Sequence, residues 1–139
     1  MDRPHLLTEL VDEVFRLNAA LLAEGDELAA GIGTTAAGWR VLGLLADGAA
    51  TVAEVARRRG LRRQSVRETV ERLARDGLVV REPNPEDRRA PLVTLTDRGR
   101  AALRDVAPAR AEWAARRSEH LDGADLTVAL RVLRRLREG

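Results

Sequence analysis

One change of period governs what this chain can fold into. Apolar residues recur at spacings of three and four up to Gly77; after it, Leu78-Val79-Val80 and Leu92-Val93-Thr94-Leu95 form short β-branched and apolar runs around the polar, proline-broken segment Glu82 to Pro91. Helical spacing resumes beyond Thr96. Two short strands with a long tip between them make one β-hairpin, so the expected class is mostly α with a single small antiparallel sheet. At 139 residues the chain has the length of one ordinary domain and can bury a core without disulfides.

Before the hairpin, Leu7, Leu10, Val14, Leu17 and Leu21 draw a narrow stripe along a helix from Leu6 to Leu22, the pattern of a seam for another helix. The stretch Glu24 to Thr35 contains Gly25, Gly31 and Gly33 and reads as a frayed helix end or loop. A second helix is expected from near Thr35 to about Asp47, with Trp39, Leu42 and Leu45 toward the core and Gly48 stopping it. Thr51 and Glu54 have capping-box spacing, which starts a short helix at Val52 that runs to about Arg59 and ends at Gly60. The next helix carries Val66, Val70 and Leu73 on one face and ends at Asp76-Gly77. Beyond the hairpin, Thr96 and Asp97 can cap a long helix through Leu103, Val106 and Trp113 to about His120, which Pro108 is expected to kink or interrupt. Asp125 is placed to cap a last helix with Leu126, Leu130 and Leu133 on one side.

Helix, tight glycine turn, helix, hairpin is the order of a winged helix-turn-helix. Ala56 lets the two helices approach, Gly60 permits the positive φ of the turn, and Val66 locks the second helix onto the first. With Val66, Val70 and Leu73 inward, Gln64, Ser65, Arg67, Glu68, Glu71 and Arg72 lie outward or on the flanks. Such a face suits a DNA major groove, where Gln pairs with adenine, Arg with guanine, Glu accepts from cytosine and Ser bonds either bases or phosphate. Arg62 and Arg63 stand at the helix start, where guanidinium groups and free amides can hold a phosphate. Glu68 and Glu71 can instead pair with Arg67, Arg72 or Arg75 along the helix. In the hairpin tip, Pro83 and Pro85 stiffen the start, Arg88 and Arg89 end it, and Asp87 is placed to brace the Arg89 guanidinium toward a minor groove or a phosphate.

Charge follows the same plan. All 24 basic residues are Arg; 14 of them, against 8 acids, lie between Thr51 and Arg104, which leaves the flanks acidic. A basic middle between acidic ends has the sign of a phosphate-facing module. The chain has no Cys and no Tyr, and His5 and His120 are its only histidines. Without a metal-ligand cluster, a nucleophile beside a His, or a glycine-rich phosphate loop, no metal, cofactor or enzymatic activity is expected. Acids and Pro4 near the N-terminus argue against a secretory signal, and no apolar run reaches the roughly 18 residues of a membrane span, so a cytoplasmic chain with no membrane partner is expected.

The run Arg81 to Gly99, with Asp-x-Arg at Asp87 to Arg89 and Leu-Thr-x-x-Gly at Leu95, Thr96 and Gly99, resembles the wing signature of the MarR family of regulators. Leu73 to Leu78 with Asp76-Gly77, and Trp39 to Leu42, fit that family as well. The resemblance covers about residues 35–99, and the flanks by pattern alone. It implies a winged helix-turn-helix over 35–99 and a homodimer built from the terminal regions 1–30 and 100–139, all within one domain. The implied function is a transcriptional regulator, a repressor, bound to a palindromic operator in double-stranded DNA. By this resemblance the recognition role falls to Arg62, Arg63, Gln64, Ser65, Arg67, Glu68 and Arg72, and the wing role to Asp87, Arg88 and Arg89. It also implies a small aromatic or anionic effector, for which Phe15, Arg16, Trp39, Arg40 and Trp113 offer aromatic surface and guanidinium groups. The dimer is reached separately from the residues, because the apolar stripes of the first and last helices flank a module too thin to cover both. The competing reading is a winged-helix protein-interaction module without specific DNA binding, in which Arg62, Arg63, Arg67 and Arg89 are dispensable.

Overall fold

The computed structural model describes residues 1–139 as six helices and one hairpin: α1 (Arg3–Ala30), α2 (Ala36–Leu45), α3 (Val52–Arg59), α4 (Arg63–Arg75), β1 (Val79–Glu82), β2 (Leu92–Leu95), α5 (Asp97–Ser118) and α6 (Gly123–Glu138). The chain divides into two compact units, Met1–Ala107 and Pro108–Gly139.

In the first unit, α2, α3, α4 and the hairpin surround a core in which Leu42, Val55, Val66, Val70, Leu73 and Val93 are each no more than 1% exposed. Local chemistry cuts the chain into these elements. Thr51 caps α3 by accepting from the Glu54 amide at 3.1 Å, and its hydroxyl donates to the Glu54 carboxylate at 3.2 Å. Gly60, at φ 65°, ends α3, and the Leu61 amide reaches back to the Ala56 carbonyl at 2.8 Å. Gly77, at φ 74°, ends α4 in the same way, with the Leu78 amide bonded to the Leu73 carbonyl at 2.9 Å. The strands pair antiparallel with Val79 opposite Leu95 and Glu82 opposite Leu92. A backbone bridge between Ala50 and Val93 ties the sheet to the start of α3.

The wing is also fastened to α5. Thr96 donates its hydroxyl to the Gly77 carbonyl at 2.6 Å and accepts from the Gly99 amide at 3.1 Å, so one side chain closes the α4 exit and caps α5. Gly99 is buried where a Cβ would collide with the Leu78 carbonyl oxygen. The Leu-Thr-x-x-Gly spacing is therefore the covalent form of a joint between hairpin and helix.

Four expectations need correction. Helix α1 continues to Ala30 instead of fraying after Leu22. Gly25 lies inside it because a Cβ there would come within 2.9 Å of the Ala36 Cβ, and the neighbouring Asp26 carboxylate accepts from the Ala36 amide at 2.7 Å. Trp39 is half-buried, and Val41 and Leu44 join Leu42 and Leu45 in the core. Helix α5 is not interrupted at Pro108, which lacks only the one amide that would have bonded back along the helix. In the second unit, α6 is capped by Asp122, whose carboxylate accepts from the Ala124 amide at 2.7 Å. Asp125 already has helical backbone and sits in the first turn, where its charge faces the helix N-terminus. No residue of α6 is buried. No helix is long and apolar enough to cross a membrane.

Candidate nucleic-acid interface

Helix α4 buries Val66, Thr69, Val70 and Leu73, and the remaining positions of its first two turns are exposed: Arg63, Gln64, Ser65, Arg67 and Glu68, followed by Glu71 and Arg72. Its N-cap residue is Arg62, which makes no side-chain capping bond. The first amides of α4 thus stay open at the positive end of the helix dipole, beside the Arg62 and Arg63 side chains. That combination suits an anion.

A cleft of about 560 Å³ separates this helix from the wing. Arg63, Arg67 and Glu71 line it from α4, Arg81 and Val93 from the strands, Arg89, Ala90 and Pro91 from the tip, and Thr51 to Ala53 from the start of α3. Four guanidinium groups therefore share one concavity with a single carboxylate. Arg88 faces elsewhere and lines a separate depression with Arg81, Glu82, Pro83, Asn84 and Pro91. Arg81 was missing from the sequence-based candidates, although strand alternation carries the signal: it shares a strand face with buried Val79.

Two side-chain pairings differ from expectation. Asp87 accepts from the backbone amide of Arg89 at 2.9 Å, not from its guanidinium, because a short carboxylate bonds the amide two residues on more readily than it reaches a long side chain. The tip is braced through its backbone, helped by Asn84, which donates to the Ala90 carbonyl at 2.9 Å and accepts from the Glu86 amide at 3.1 Å. On α4, neither Glu68 nor Glu71 forms an ion pair with Arg67, Arg72 or Arg75. Glu68 instead accepts from the Gln64 side-chain amide at 3.2 Å, and Arg67 donates to the Gln64 carbonyl oxygen at 3.5 Å.

Of the candidate effector residues, Phe15, Arg16, Trp39 and Arg40 belong to the first unit and Trp113 to the second. Phe15 is 71% exposed on α1, and Arg16 beside it pairs with Glu13 at 3.3 Å. Arg40 donates to the Arg59 carbonyl at 3.0 Å while Arg59 donates to the Arg40 carbonyl at 3.2 Å, a reciprocal clasp of α2 to α3. Trp39 is half-buried on α2, and Trp113 is half-buried in the second unit. Neither cleft described above includes any of these five residues.

A helix-turn-helix backed by a two-stranded hairpin defines a winged-helix protein. Residues 32–90 match the model of the MarR family. The uncharacterized protein Rv2011c of Mycobacterium tuberculosis is 35% identical over 130 residues, spanning 94% of this chain and 91% of its own. Among solved structures, the chain is similar to BpsR of Bordetella bronchiseptica, whose DNA binding is regulated by 6-hydroxynicotinic acid; identity is 27%, the TM-score 0.77, and 95% and 98% of the two chains are covered. It is also similar in fold to an E. coli MarR variant complexed with operator DNA, at 21% identity and a TM-score of 0.84 over 98% and 99% of the two chains. The chain belongs to the MarR family, whose regulators are DNA-binding proteins and not enzymes.

Proposed function

We propose that the chain is a sequence-specific transcriptional repressor that binds a palindromic operator as a homodimer and leaves it when a small aromatic or anionic compound binds. The observation that carries this reading is the meeting of Arg63 and Arg67 of α4 with Arg89 of the wing in one cleft. In the proposed complex α4 enters the major groove, Gln64, Ser65 and Arg67 face base edges, and Arg62 and Arg63 with the open helix start take a phosphate. Arg72 extends the contact along the backbone, Arg88 and Arg89 reach the flanking minor groove or its phosphates, and Asp87 keeps the tip in shape.

The terminal helices carry the dimer in this reading. Leu6, Leu7 and Leu17 on α1, and Leu126, Leu130 and Leu133 on α6, are each more than 40% exposed in the single chain, and a second copy would cover them. The accompanying domain plan keeps residues 35–99 as the DNA-binding part and 1–30 and 100–139 as dimerisation helices. Effector release rests on the regulation of BpsR by 6-hydroxynicotinic acid. A carboxylate engaging Arg16 or Arg40 must compete with Glu13 or with the Arg59 carbonyl.

Titration of the full chain against its own upstream intergenic DNA and a scrambled duplex of equal length, at two salt concentrations, tests the reading. Specific binding orders of magnitude above the scrambled duplex, with a steep salt slope, is the expected outcome. Equal weak binding to both duplexes, and to genomic fragments selected in the same way, overturns it.

A further inference from the structure

Gln64, Arg67 and Glu68 occupy positions i, i+3 and i+4 on the exposed face of α4, and the Gln64 side chain is hydrogen-bonded to each of the other two. The Gln64 amide nitrogen donates to Glu68 Oε1 at 3.2 Å, and its carbonyl oxygen accepts from Arg67 Nη1 at 3.5 Å. Turning the amide over would set oxygen against the carboxylate and N–H against the guanidinium, two repulsive contacts. One orientation of the amide is therefore selected before any partner arrives. In that orientation one N–H and one lone pair remain free, which is the donor and acceptor pair that adenine N7 and N6 require.

Glu68 itself is poorly suited to touching DNA. A carboxylate is repelled by phosphate, and here one of its oxygens is already committed to Gln64. Its influence grows in a groove from which water is excluded, because the hydrogen bond to Gln64 then loses its competitor. The geometry points to Glu68 as a positioning residue: it holds the Gln64 side chain in the donor and acceptor order that selects adenine, without contacting a base. This rests on the DNA-reading function proposed above and assigns a specificity role within it.

The test uses the full-length chain as wild type and as Gln64→Ala, Glu68→Ala and Glu68→Gln. Each is first checked by circular dichroism and a thermal melt, since all these side chains are exposed. Randomised duplexes are then selected for binding, and affinities are measured on the best duplex and on its single-base variants. Wild type should prefer adenine at one position of each half-site by about ten-fold. Glu68→Ala should reduce that preference to about three-fold or less at the same position that Gln64→Ala affects, with other positions unchanged and overall affinity equal or higher. Glu68→Gln, which keeps an acceptor, should restore part of the preference. Unchanged preferences in Glu68→Ala, or a loss at a position that Gln64→Ala leaves alone, would overturn the assignment. If wild type itself enriches no sequence, the DNA-reading function fails first and this inference falls with it.

Discussion

Gly99 has no room for a side chain. An added Cβ would strike the Leu78 carbonyl oxygen and come within 3.2 Å of the Leu95 side chain, and the backbone atom cannot yield without moving the wing. Gly99→Ala should therefore cost about 1–3 kcal/mol, measured by urea unfolding, because overpacking a rigid site forces a backbone shift. An unchanged midpoint would mean that the start of α5 can slide. Two residues earlier, Asp97 pairs with Arg100 at 2.7 Å. The Arg100 hydrogen bond, and then its charge, hold the Asp97 carboxyl below its ordinary range. A folded-state pKa below the unfolded one means stability that is present above the ordinary carboxylate pKa and lost as pH falls through the lowered value. Asp97→Asn should flatten that part of the acid limb, visible as a smaller loss of Tm in acid than wild type shows. Full exposure of Asp97 keeps the effect small.

The hairpin tip and the α3 cap separate the proposed recognition role from stability. Thr51 is 7% exposed and holds the first turn of α3 through Glu54. Thr51→Ala should destabilise the whole first unit by about 0.5–2 kcal/mol, since α3 cannot form its turn with α4 independently of the core. The tip is the opposite case: Asn84 and Asp87 bond only to the tip's own backbone. Asp87→Ala should leave the thermal midpoint within error while weakening operator binding by about 1 kcal/mol, through a looser Arg89. Arg89→Ala should weaken it by about 1–3 kcal/mol. Fluorescence anisotropy on one operator duplex compares the two, and a larger effect from Asp87 than from Arg89 would contradict the backbone-brace role.

On the proposed reading, dimerisation and DNA binding are linked at the scale of the whole molecule. Helix α6 is entirely exposed in the single chain, and Leu130 on it is 48% exposed. On that reading a second copy covers this apolar surface, and the two copies hold their DNA-reading parts at the fixed spacing a two-fold operator requires. Sedimentation should find a dimer at micromolar concentration. Leu130→Glu should shift it toward monomer and weaken operator binding by ten-fold or more, because two tethered half-site contacts become independent. Retention of the dimer in that variant would place the interface elsewhere.

Much of this protein is legible without coordinates because the interactions that define it span five residues or fewer. The capping box at Thr51, the left-handed glycines at Gly60 and Gly77, and the stripe Val66, Val70, Leu73 each specify their element locally, and the switch of period after Gly77 specifies the hairpin. Contacts between distant segments were not legible. The role of Gly25 depends on Ala36 in the next helix, the Arg40–Arg59 clasp joins residues nineteen apart, and Arg81 enters the cleft only because the hairpin folds beside α4. The partners of Asp87 and Glu68 had several short-range choices, and the backbone of the tip and the side chains around Gln64 decided between them. Spacing along the chain determines which faces exist, whereas the identity of what meets across them is a property of packing.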